Sequence, residues 1–266
     1  MHDELMSSID RYLDAVPRAA TRVEEIGPFT LFVNEGIGWR YYARPTVGAR
    51  RFTAGDVRRV LDRQRELDQP LEFEWVVDVT PTVAEAARAA GLKLVEHPLM
   101  HLRGDEFLPT SPPDGAELRF VGPDDELATI TAVAMVGFDA PGTEIAPIGV
   151  EALAERAASV DAGKLAFARG RLARGLTVTA AAFVGRDPVA SGSHQPIDGV
   201  TEIVGVACLP AFRRRGLASA VTSALAEDAA RRGVSTVFLS ADDDAVARIY
   251  GRLGFRVIGR VGAASP

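Results

Sequence analysis

The stretch VACLPAFRRRGLA (206–218) joins an apolar run ending at Pro210 to a short basic loop, and the loop runs without a spacer into a helix-forming segment. The first amides of such a helix have no internal acceptor, and they sit where the helix dipole is positive. An anion docked there is stabilised without a dedicated side chain. Gly216 and Ala218 leave the backbone approachable, and Arg213, Arg214 and Arg215 add charge. The physical reading is a cradle for a diphosphate, opening on Leu217, Ala218 and Ser219. Standing alone, an Arg-rich helix start is more often a solvated face.

Spacing narrows the ligand. A P-loop needs Gly-x-x-x-x-Gly-Lys-Ser/Thr, and a dinucleotide fingerprint needs Gly-x-Gly-x-x-Gly after the first strand of a parallel unit. Here a single glycine is in place, late in the chain. With 30 basic and 36 acidic residues the formal net charge is -6, which argues against a nucleic-acid module and is compatible with a cationic amine. No apolar run approaches the ~18–20 residues needed to span a bilayer, and the acidic start MHDELMSSIDRYLDAV is no secretory signal. A cytoplasmic location is expected. The sole cysteine, Cys208, permits no intramolecular disulfide and no cysteine-built metal site, and the four scattered histidines show no metal-ligand spacing, so no metal is expected.

The 266 residues suggest one large domain or two small ones. A Pro/Gly-bearing stretch without hydrophobic period, 104–117, reads as a linker between an N-terminal α/β domain (1–103) and a second domain (118–266). In the first domain, Leu5, Ile9, Leu13 and Val16 mark an amphipathic helix, and 30–36 with 38–45 reads as a hairpin. Thr53 caps a helix running to about Asp68, 71–79 is a buried strand, Pro81 opens a helix that Gly91 ends, and 92–102 is a last strand. Trp39, Tyr41, Tyr42 and Trp75 are aromatic candidates for pocket or core. In the second domain a strand at 118–121 precedes helices over 122–138 and 149–160, and 166–210 reads as consecutive strands. A helix (216–232), strand (235–240), helix (243–253) and strand (255–260) close it. The fold class is α/β, of mixed α+β type, with one central mixed sheet flanked by helices in the second domain.

Two elements carry a resemblance. Arg213-x-x-Gly216-x-Ala218 resembles the Gln/Arg-x-x-Gly-x-Gly/Ala motif of the GNAT superfamily, the acyl-CoA-dependent N-acetyltransferases. Downstream, Asp243 followed by Ile249-Tyr250 and Gly254-Phe255 resembles that superfamily's Asn-x-x-Ala-x-x-Leu-Tyr-x-x-x-Gly-Phe signature. The resemblance covers roughly 118–260 and implies acetyl-CoA as cosubstrate and an amine acceptor. It implies that Val206, Ala207 and Cys208 offer backbone amides to the acetyl carbonyl and pantetheine arm, that Tyr250 protonates the departing sulfur, and that Glu202 stands where some members carry a general base. Glu202 reads equally as a solvent-facing strand residue. Asp243 replaces the usual Asn, and an ionised carboxylate cannot donate the hydrogen bond an amide gives. Cys208 as a nucleophile lacks a nearby histidine.

The element order of 53–102 echoes that of 216–260, and aligning Gly91 on Gly254 places Thr53 at the Gly216 position and Ala87 at the Tyr250 position. A degenerate GNAT-like half and an unrelated α/β cap both fit. Besides transferase activity, a non-catalytic acyl-CoA sensor and a nucleotide-binding module remain in view. Many such proteins are dimers, so a homodimer is left open, with no interface legible.

Overall fold

The computed structural model describes residues 2–38 and 40–266. The chain divides into two compact units, the first running to Met100 and including Ser240–Asp244 and Val257–Pro266, the second made of His101–Leu239 and Ala245–Arg256.

In the first unit, α1 (His2–Arg18) buries Met6, Ile9, Tyr12 and Val16, a helical stripe turned slightly from the expected one, with Leu5 and Leu13 at its margin. The hairpin is not the expected one. It is formed by β1 (Arg22–Ile26) and β2 (Phe29–Val33) around Gly27-Pro28, while among the described residues of 38–45 only β3 (Arg44–Pro45) is strand. The charged sequence of β1, RVEEI, hid it, because β1 is an edge strand in the β1-β2-β3 sheet. Trp39 lies outside the described residues. Next, α2 (Ala54–Glu66) starts at a full capping box, in which the Asp56 amide donates to Thr53 Oγ1 (3.2 Å) and the Thr53 amide to Asp56 Oδ2 (2.8 Å). β4 (Phe73–Val76), α3 (Val83–Ala89) and β5 (Lys93–Leu102) follow, and Pro81 sits in the turn ahead of α3 rather than at its first position. Phe29, Leu31, Val57, Val60, Phe73 and Trp75 share the core, so Trp75 is a core residue.

The second unit opens with segment 104–110, which is tied down. The Leu108 amide donates to Leu253 C=O (3.0 Å), and the Thr110 amide to Ser223 Oγ (3.0 Å). β6 (Ala116–Val121) begins two residues inside the expected linker, and α4 (Leu127–Asp139) begins five residues later than expected, leaving Asp124, Asp125 and Glu126 in the turn ahead of it. The helix expected over 149–160 begins as a 3-10 turn, Val150–Ala152, and continues as α5 (Leu153–Ala158). The reading of 166–175 as strand is overturned: α6 (Ala162–Ala173) occupies it, with the Lys164 amide donating to Asp161 Oδ1 (2.9 Å) as N-cap. Its Ala, Leu, Arg and Lys content favours helix, but it has no fully buried residue and so no apolar stripe to read.

β7 (Val178–Val184), β8 (Asp187–His194) and β9 (Val200–Cys208) form an antiparallel meander continuing from β6. α7 (Leu217–Arg231) crosses back over it, and β10 (Thr236–Ser240) returns parallel to β9. The order in this unit is β10-β9-β8-β7-β6, with α4 and α7 packed on β8 and β9. α8 (Asp244–Gly251) leads into β11 (Phe255–Ser265). From Val257 onward β11 belongs to the first unit, where it lies between β4 and β5 and pairs antiparallel with β4. Gly262 is opposite Trp75 there, and a Cβ on it would come within 2.4 Å of the indole.

Candidate active site

β9 departs from regular pairing on both sides. Towards β8, Ser191 is opposite Ala207 and Ser193 opposite Val204, so β9 carries one residue too many across Gly205-Val206. Gly205 takes φ +63°, the left-handed conformation that a bulge of this kind assigns to glycine. Towards β10, the parallel pairing covers only Val200–Glu202 against Thr236–Phe238. β9 then runs on to Cys208 with that edge open, and Glu202 stands at the last paired position, partly exposed.

The open edge leads to the basic loop. Pro210–Phe212 makes a 3-10 turn, Arg214 adopts φ +62° and Gly216 φ +83°, and α7 starts. The first intrahelical bond runs from the Ala220 amide to Gly216 C=O (3.0 Å), so the amides of Leu217, Ala218 and Ser219 precede the ladder. A Cβ built on Gly216 meets nothing within 4 Å, so there is open space beside the residue that precedes these amides. The loop and the start of α7 therefore lie where the sequence placed them, with Gly216 as the left-handed residue ahead of the helix.

The three arginines differ. Arg214 is exposed and paired with Glu144. Arg215 is exposed, with its guanidinium 5.0 Å from the Phe212 ring centre. Arg213 turns away from the cradle and donates to the carbonyls of Ala140 (2.6 Å), Gly137 (2.8 Å) and Glu144 (3.2 Å). Val206 is half-buried, whereas Ala207 and Cys208 are buried. Burial pushes the Cys208 thiol up to about 11, against a smaller opposing pull from Arg213 and Arg215, so it is a protonated core side chain at neutral pH.

Tyr250 lies near the end of α8, its ring edge-on to Phe255 at 6.0 Å. Burial pushes its phenol up to about 12. The hydroxyl therefore keeps its proton at neutral pH. Asp243 is exposed and falls in the first unit.

Sequence reading missed a buried polar chain beneath the sheet. His194 Nδ1 lies 3.1 Å from Thr201 Oγ1, and Nε2 lies 3.0 Å from Asp228 Oδ2. The distances are those of a hydroxyl–imidazole–carboxylate relay, but Thr201 and His194 are both 0 % exposed. No substrate reaches that hydroxyl, so the chain joins β8, β9 and α7 internally. Among the described residues no group of three or more His, Cys, Asp or Glu is placed to hold a metal, and no helix is long and apolar enough to cross a membrane.

The fold is that of the GCN5-related N-acetyltransferases. Residues 194–261, from the end of β8 through α7 and α8 into β11, match the FR47-like protein family. A GCN5-related N-acetyltransferase from Kribbella flavida aligns over 98% of this chain and 95% of its own, with TM-score 0.72 and 21% identity. A tandem GNAT protein from the clavulanic acid biosynthesis pathway, solved without AcCoA, aligns over 99% and 92%, with TM-score 0.62 and 17% identity, a match that extends over both units. A GCN5-related N-acetyltransferase from Sphaerobacter thermophilus aligns over 90% and 76%, with TM-score 0.57 and 21% identity. No curated protein matches the sequence.

Proposed function

We propose that this protein is an N-acetyltransferase that moves the acetyl group of acetyl-CoA to an amine by direct attack in a ternary complex. The observation that carries this reading is the parting of β9 from β10 after Glu202, beside the open amides that start α7. A thioester with a long arm and a diphosphate needs such a pair of features: a strand edge for the arm and a cationic backbone pocket for the phosphates.

In this reading Leu217, Ala218 and Ser219 hold the diphosphate through their amides, with Arg214 and Arg215 at the rim. The freed edge of Val206–Cys208 holds the arm and the thioester carbonyl. A donor aimed at a developing oxyanion is worth ~3–4 kcal/mol. The neutral amine attacks the carbonyl carbon, so the N–C bond forms and the C–S bond breaks. Glu202 takes the amine proton, directly or through water, and Tyr250 stabilises the sulfur by donating its hydroxyl proton into a hydrogen bond. Cys208, held neutral by burial, forms no acyl intermediate.

The first unit reads as a degenerate GNAT-like half, with 1–103 as its own segment and 118–266 as the catalytic segment, whose residues from Val257 onward complete the first unit. Its order α2-β4-α3-β5 repeats α7-β10-α8-β11 in type. Where Gly216 leaves amides open, Thr53 fills them and Asp56 sets a carboxylate in the first turn, so an anion would meet both an occupied cap and a like charge. Cofactor chemistry is therefore assigned to the second unit alone.

Calorimetric titration with acetyl-CoA and with ATP tests the reading. Micromolar acetyl-CoA binding without ATP binding is expected, followed by amine-dependent release of free thiol in an acceptor screen. Absence of acetyl-CoA binding overturns it, and binding without thiol release from any amine would favour a sensor.

A further inference from the structure

We propose that Arg213 is a positioning residue: it does not contact the diphosphate but clamps the cradle loop to the carboxyl end of α4. The inference rests on the reading of the cradle given above, and it assigns the first arginine of the motif a role different from that of its neighbours.

Three observations converge. First, α4 ends at Asp139, and the last carbonyls of a helix lack intrahelical donors. Arg213 supplies those donors, reaching Gly137 C=O, Ala140 C=O and, beyond the helix, Glu144 C=O. A planar guanidinium with several fixed donors can span three carbonyls, and its charge suits the negative end of the helix dipole. Second, the loop is stitched by its backbone to the segment that follows α4. The Ala146 amide donates to Pro210 C=O (3.3 Å), and the Ala211 amide to Ile148 C=O (3.0 Å). Third, the loop needs holding. Arg214, a residue with a Cβ, sits at φ +62° two residues before the left-handed Gly216. Conformations of that kind persist only where the surroundings over-determine them.

The clamp also reaches the strand. A Cβ on Gly137 would come within 2.9 Å of Ala207 Cβ and 3.5 Å of the Cys208 amide nitrogen, so α4 presses on β9 where the freed edge lies. Arg213 therefore ties cradle, α4 and strand edge into one arrangement. Without it, only a fraction of molecules would hold the loop ready, and apparent affinity for acetyl-CoA would fall by that fraction.

Geometry and charge are separable by substitution in the full chain. Arg213→Lys keeps the charge but cannot span the carbonyls, whereas Arg213→Gln removes the charge as well. Both variants are expected to lose hydrogen-exchange protection at the Ala146 and Ala211 amides without ligand. Both should bind acetyl-CoA about 10-fold more weakly, with the salt dependence of the wild type. In wild type, acetyl-CoA should raise protection over 140–148 as well as over 217–220. A lysine variant that binds like wild type, beside a glutamine variant with weakened binding and a flatter salt dependence, would overturn the proposal in favour of direct phosphate contact. Retained protection at both amides in both variants would also overturn it, as would ligand protection confined to 217–220. If the wild type bound no acetyl-CoA, the transferase reading would fall, and the exchange measurement on the unliganded variants would still decide the clamp.

Discussion

Replacing Tyr250 by Phe removes one oxygen and keeps the ring, so the edge-on contact with Phe255 at 6.0 Å survives. The melting temperature should therefore hardly move, since substitutions that neither open a cavity nor orphan a buried partner usually stay within ~0.5 kcal/mol. Chemistry should suffer more. A positioned proton donor contributes on the order of 10²–10⁴ in rate, or ~3–5 kcal/mol at ~1.36 kcal/mol per decade. With the phenol pushed up to about 12, Tyr250 is a weaker acid than an ordinary tyrosine, so full proton transfer to a thiolate is disfavoured and a hydrogen bond is the working interaction. That places the expected loss towards the lower end, about 100-fold in kcat. Acetyl-CoA affinity should stay within about twofold, because the hydroxyl acts on a sulfur that becomes anionic only during reaction. The assay is steady-state thiol release at saturating acetyl-CoA, with affinity from calorimetry. The kcat profile should also lack an alkaline limb from Tyr250 below about pH 11. A Phe variant with near-normal kcat refutes the donor role. Equal losses in kcat and affinity would mean the ring, not the hydroxyl, matters.

Gly216→Glu should abolish acetyl-CoA binding by calorimetry, while Gly216→Asn, which tolerates the left-handed conformation at a cost of ~1–2 kcal/mol, should keep part of it; micromolar binding by the Glu variant would count against the cradle. Cys208→Ala should keep turnover within about twofold, as a neutral buried thiol forms no acyl-enzyme, and a loss on the order of 100-fold in thiol release would restore the covalent route. Burial lowers the pKa of His194 below its usual 6.5, against the opposing pull of Asp228. A group that binds its proton less readily when folded stabilises fully above its unfolded pKa and loses that contribution as pH falls through the folded value. The thermal midpoint should therefore drop as pH falls below about 6.5, and His194→Gln should flatten that slope; an unchanged slope in the variant would refute the assignment.

The second unit was legible where backbone geometry dictates residue type. The loop before α7 requires a residue tolerant of φ +83°, and the sequence shows Gly216 there, so the turn into α7 could be read locally. Tyr250 and Gly254-Phe255 were legible by resemblance. Arg213 was not, because its acceptors lie 69 to 76 residues away and are carbonyls, which leave no mark on side-chain identity. α6 was misread because a helix without a buried side prints no period on the sequence. The run 255–260 announces a strand but neither its continuation to Ser265 nor its neighbours, so the place of β11 between β4 and β5 could not be read from it.

That place has a consequence for synthesis. When the ribosome has made β4 and β5, the strand that belongs between them is still about 150 residues away, and at ~5–20 residues per second its arrival takes on the order of ten seconds. During that interval the first unit exposes two strand edges and the Trp75 face that Gly262 later covers. Its maturation is therefore late and long-range, while the meander β6 to β9 assembles from neighbouring segments. Loss of the closing residues would harm the partner half of the chain before the half that carries the cradle.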